Sequence, residues 1–148
     1  MNTQELSEEQ RIEYGAEWYS HIMHHPAPPQ NCTYYRDGIH KFVFAEMWSR
    51  PGLDRRARRW ITLACVGAAG ELLPIQTHVY AALKSGDVTF EEINEFVLHF
   101  AVYMGWPKAS IVQQIVHEMW EKVQEEGGTE SLPVPQYPQS TQNEGSLT

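Results

Sequence analysis

Between Asp54 and Pro107 the chain is cut at short intervals by residues that start or stop helices, and this punctuation constrains the fold more than any other feature. Asp54 is placed to cap a helix that ends near Gly67 to Gly70. Pro74 fits the first turn of the next, which stops at Gly86. Thr89-Phe90-Glu91-Glu92 has the form of a capping box, in which Thr89 bonds forward and Glu92 reaches back. Gly105 closes that helix and Pro107 opens another. Between the cuts the apolar residues recur at helical spacing: Ile75, Val79 and Ala82; Ile93, Phe96, Val97 and Phe100; Ile111, Ile115, Val116 and Met119.

The same reading extends toward the N-terminus. Ser7 with Glu8 and Glu9 starts a helix that should run to about His24, where Pro26, Pro28 and Pro29 end it. Asp37 is expected to cap a second helix carrying Ile39, Phe42, Val43, Met47 and Trp48. No stretch alternates with period two for long enough to build a sheet. The expectation is one all-α domain over residues 1–128, of about six helices joined by short connections that favour antiparallel neighbours. Residues 129–148 are rich in Pro, Gln, Ser and Gly, so that tail is expected to be disordered or to reach along a neighbouring subunit.

Charge narrows the partners. Eleven basic residues stand against 19 acidic ones, a net charge of −8 that repels a phosphate backbone, so nucleic acid is excluded as a partner. Five of the 11 nevertheless fall between Arg50 and Arg59, which calls for ion pairs or an anion site. His21, His24 and His25 cluster near a helix end, where histidine suits the dipole, and no Cys or carboxylate nearby completes a metal set. The only cysteines, Cys32 and Cys65, are far apart and fit free thiols in a reducing compartment, with Cys65 expected to be buried. No apolar run reaches the roughly 20 residues of a membrane span. With a polar, acidic N-terminus, the chain reads as soluble and cytoplasmic.

Trp48-Ser49-Arg50-Pro51-Gly52-Leu53 with Arg58, then His78-x-x-Ala81-Ala82-x-x-x-Gly86, then Thr89 to Glu95 and Tyr103-x-Gly105-x-Pro107, together resemble the motifs of the carboxymuconolactone decarboxylase family over roughly residues 42–123. The resemblance implies an all-α fold related to alkylhydroperoxidase D, with small helical subunits in trimers or hexamers. One branch of that group decarboxylates a carboxylated lactone, and another is a thiol peroxidase with a CxxC pair ahead of the helix histidine. Here Glu71 and Pro74 stand where those cysteines would be, and Arg59 holds the position of the peroxidase's acidic relay, so hydroperoxidase chemistry is not expected. The chain also carries an additional residue, Asp87, after Gly86.

Loss of CO2 from a small carboxylated lactone or enolisable acid needs no cofactor. It needs a cationic clamp for the carboxylate, donors toward the developing negative charge and a proton source. His78 is the candidate acid, Arg58 with Arg50 the clamp, Glu71 the group that orients His78, and Trp48 and Tyr103 the walls. The competing expectation is a non-catalytic oligomeric binding or accessory protein that keeps the fold without the chemistry.

Overall fold

A computed structural model describes residues 2–139. After a short 3-10 turn, Thr3–Glu5, six helices follow among the described residues, and no strand. They are α1 (Glu8–Met23), α2 (Tyr34–Trp48), α3 (Arg55–Ala69), α4 (Leu72–Lys84), α5 (Phe90–Met104) and α6 (Trp106–Glu125). None is long and apolar enough to cross a membrane.

The expected caps form. Ser7 accepts from the Gln10 amide while the Gln10 side chain accepts from the Ser7 amide. Thr89 and Glu92 make the same reciprocal pair at α5, and Asp54 accepts from the Ala57 amide at α3. Each satisfies donors that a helix start otherwise leaves unpaired. Asp37 does not cap: α2 begins three residues earlier, at Tyr34, and Asp37 instead takes an ion pair from Lys41 one turn on. α2 is wound in the wide π register, which ordinary sequences hold only for single turns. It packs so closely on α1 that a methyl group on Gly15 would overlap the His40 carbonyl.

α4 is the central helix. Ala81, Ala82, Leu83 and Lys84 are consecutive and all buried, so its C-terminal half is enclosed on every side. One side, with Ile75, Val79, Ala82 and Leu83, joins the main core with Leu63 of α3, Ile93, Val97 and Phe100 of α5, and Val112, Ile115 and Val116 of α6. Ala81, on another side, meets Ile22 and Met23 of α1 and Phe44 of α2. His78 lies one turn before these alanines, on a helix whose direction both cores fix.

The tail departs from the sequence expectation as far as residue 139. The Glu130 amide donates to the Lys84 carbonyl at 2.7 Å, and Lys84 Nζ donates to the Gly128 carbonyl at 2.9 Å. Tyr137 sets its ring edge-on to Tyr14, centroids 5.8 Å apart, and its hydroxyl donates to the Asn2 carbonyl. Polar composition concealed this, because the docking uses one aromatic and main-chain groups rather than an apolar run. The rest of the tail, 140–148, lies outside the described residues.

Candidate active site

The arginine group resolves into paired and unpaired members. Arg56 forms a two-pronged pair with Glu92, at 3.0 and 2.6 Å. Asp87 serves two cations: its Oδ1 accepts from Arg55 Nη2 at 2.6 Å and its Oδ2 from Arg59 Nε at 3.1 Å. Arg50 and Arg58, the two named from sequence as an anion clamp, have no carboxylate partner among the described residues. Arg58 Nη2 donates to the Arg50 carbonyl at 3.0 Å, and its Nε is sealed without a partner.

Arg59 is the buried centre of this region, 1% exposed. Besides its bond to Asp87, its Nη2 donates to the Ile22 carbonyl, at the end of α1. Its Nη1 is shut away from solvent and has no acceptor. Burial lowers the guanidinium to about 10, and Asp87 works against that fall, so it stays charged at neutral pH. The Trp48 ring lies over it, 5.5 Å from centroid to guanidinium carbon, and Trp48 is stacked in turn on Phe44 with planes 8° apart. Burial alone would raise the Asp87 carboxyl, but the Arg55 hydrogen bond and the Arg59 charge together hold it below the usual carboxylate range.

Three histidines lie near Arg55 or Arg59. His78 is half-buried on α4, and burial followed by the charge of Arg59 pushes it down to about 4. Its Nδ1 is sealed and unpartnered. His21 faces Arg55, Nη1 to Nε2 at 2.8 Å; arginine only donates, so Nε2 accepts and the ring is neutral with its proton on Nδ1. Burial, then Arg55, pushes His21 to about 4 as well. His24 caps α1 in the left-handed conformation, 3.8 Å from the Glu130 carboxylate, and burial and then Arg59 lower it also. His25 turns away to the Pro26 carbonyl, so the three do not converge as a metal set would.

The other sequence candidates divide. Trp48 and Arg58 share a hollow of about 170 Å³ with Met47, Ile61 and Thr62. Glu71 is exposed at the start of α4, two helical turns ahead of His78, and the ring's Nδ1 is without a partner. Tyr103 is 76% exposed on α5 beside His99 and walls nothing around His78 within one chain. His78, the candidate acid, is held neutral at pH 7 by burial and then by the charge of Arg59. Arg59 and Asp87 were passed over as functional residues, although Arg55 and Arg59 share a helix face by their spacing of four and Asp87 supplies the acid. Cys65, expected to be buried, is exposed on α3, as Cys32 is ahead of α2.

Residues 35–117 match the profile of the Carboxymuconolactone decarboxylase family. That span includes Trp48, Arg58, Arg59, His78 and Asp87 and leaves out α1 and the tail. A 4-carboxymuconolactone decarboxylase of Acinetobacter baylyi is 32% identical over 87 residues, 59% of this chain and 64% of that protein. A nitrosuccinic acid decarboxylase of Metarhizium robertsii is 39% identical over 88 residues, 57% of this chain and 61% of that protein. The chain therefore spans less than two thirds of the length of each relative. No solved structure matches.

Proposed function

The chain belongs to the carboxymuconolactone decarboxylase family, and from that premise we propose that it releases CO2, without a cofactor, from a small carboxylic acid bearing an electron-withdrawing group close to the carboxyl. The relatives' names denote two such acids, one with a lactone and one with a nitro group. In both, the electron pair left when the C–C bond breaks passes into a carbonyl or nitro oxygen.

The observation that carries this reading is the set of Trp48 over the buried Arg59, Arg58 without a carboxylate partner in the same hollow as Trp48, and a half-buried His78 whose Nδ1 has no partner. Arg58, with Arg50 at its side, receives the carboxylate, since neither is spent on a protein acid. Trp48 walls the guest from water. An anion bound here offsets the charge of Arg59 and raises the affinity of His78 for a proton. The imidazolium then gives that proton to the carbon that lost CO2 and regains one from solvent.

Assembly belongs to the same proposal. Leu98, Val102, Tyr103 and Trp106 are 53–76% exposed along the end of α5 and the start of α6. A patch of this kind suits contact with further copies of the chain, and that is where Tyr103 would serve. Exposed free thiols at Cys32 and Cys65 fit a reducing, cytoplasmic setting. One observation favours the non-catalytic alternative: the 170 Å³ hollow is smaller than the ~300 Å³ at which ligand pockets begin.

The deciding experiment incubates the purified chain with 4-carboxymuconolactone and with nitrosuccinate and follows CO2. Release from at least one, reduced about 100-fold or more in His78→Asn, is the expected result. Release from neither, or the same rate in the variant, overturns the reading.

A further inference from the structure

We propose that Arg59 is a second, inner anion anchor of this site, whose unpartnered Nη1 takes a carboxylate oxygen of the guest once the Trp48 ring above it turns aside. The proposal rests on the reading that the guest is a carboxylate.

Three observations lead there. The first is the hydrogen-bond inventory of the guanidinium. Nε is taken by Asp87 and Nη2 by Ile22, while Nη1 is sealed and has no acceptor. Buried donors are almost always paired, so an unmet one on a braced cation marks a place that an anionic oxygen fits. Lysine would not reproduce it, because the two occupied nitrogens fix the plane in which the third points.

The second is charge. Arg55 and Arg59 share the single carboxylate of Asp87, whereas Arg56 on the same helix has Glu92 to itself. His21 and His24, which face the same cluster from α1, are held neutral and add no charge. Glu130, beside His24, is more than half exposed to water. Asp87 thus balances only one of the two guanidiniums it touches, the buried Arg59 and the one-third-exposed Arg55, in a protein whose net charge is −8.

The third is the position of Trp48. Its ring covers the Arg59 guanidinium, and the same residue lines the hollow that holds Arg58. It is the last residue of α2, half-buried with its ring stacked on Phe44, and the turn that leads to Asp54 follows it directly. Rotation would join the hollow to the inner guanidinium and enlarge a space that is too small for a diacid as it stands. Arg58 would then hold one end of the guest, and Arg59 the end nearer His78.

The test is calorimetric titration of the full-length chain with succinate, in wild type, Arg59→Met and Arg59→Lys, each checked for helical circular dichroism. Arg59→Met should weaken succinate at least tenfold, and Arg59→Lys should recover only part of the loss. Tryptophan emission of the wild-type chain supplies a readout that needs no Arg59 variant: succinate should change the component that Trp48→Phe removes. Equal affinity in a folded Arg59→Met, no succinate binding to wild type, or an unchanged Trp48 component at saturation overturns the proposal. The decarboxylase reading fails separately. Arg59-dependent succinate binding with no CO2 release keeps the anchor and removes the reaction; CO2 release that survives Arg59→Met but not His78→Asn does the reverse.

Discussion

Replacing Asp87 by Asn isolates the electrostatics on which the site depends. The change keeps the side chain's shape and removes one negative charge from between two guanidiniums. Arg55 is about one third exposed and can recover water, but Arg59 is 1% exposed and cannot. Removing one partner of a buried pair costs about 3–5 kcal/mol. The low end applies here, since an Asn oxygen can still accept one bond, so ~3 kcal/mol is expected. For a chain of 148 residues that corresponds to a fall in midpoint of roughly 10 °C. The assay is urea unfolding at pH 7, followed by tryptophan emission and far-ultraviolet circular dichroism. Because the folded carboxyl lies below its unfolded value, Asp87 stabilises the fold above its unfolded pKa, and this contribution disappears as pH falls through the folded one. The gap between wild type and variant should therefore narrow in acid. Arg56→Gln, which removes a solvent-facing pair, should stay close to wild type. A loss under about 1 kcal/mol in Asp87→Asn, or one no larger than in Arg56→Gln, would refute the placement of a buried cation at Arg59.

Other outcomes follow from the same coordinates. Gly15→Ala drives a methyl into the His40 carbonyl and should cost about 2–3 kcal/mol by urea titration, with the helical spectrum retained. Thr89→Ala removes half of the α5 capping box and should cost about 1 kcal/mol by the same method. His78 and His21 sit at about 4 when folded and bind protons near 6.5 when unfolded. Between those values the unfolded chain holds more protons, so stability should rise as pH climbs from 4 to 6.5, and His78→Asn should flatten that slope in part.

Local chemistry made most of the fold legible. Caps such as Ser7, Asp54 and Thr89 act within one helical turn, so spacing alone reveals them. Asp37 misled because α2 starts without a side-chain cap and in an unusual winding, leaving a good capping residue to pair with Lys41 instead. The candidate site was legible only in its outer layer. Trp48, Arg58 and His78 stood out by type and spacing, but which arginine would be buried depended on Asp87, 28 residues beyond Arg59, arriving from another turn. Trp106, at a helix junction where packing is the ordinary expectation, is 64% exposed, and Lys108 closes α3 by donating to the Ala68 carbonyl at 2.5 Å. Both reflect how helices meet in space, which no local pattern encodes.

The central claim is that burial, together with the charge of the Arg59 guanidinium, keeps the α4 imidazole unprotonated until an anion arrives. Nuclear magnetic resonance of the ring, with His78→Asn to assign its signal, measures this directly in the free chain and with saturating succinate. The account predicts a midpoint near 4 in the free chain, moving up toward neutrality when the anion binds. An ordinary midpoint near 6.5 that the anion leaves unmoved would contradict it.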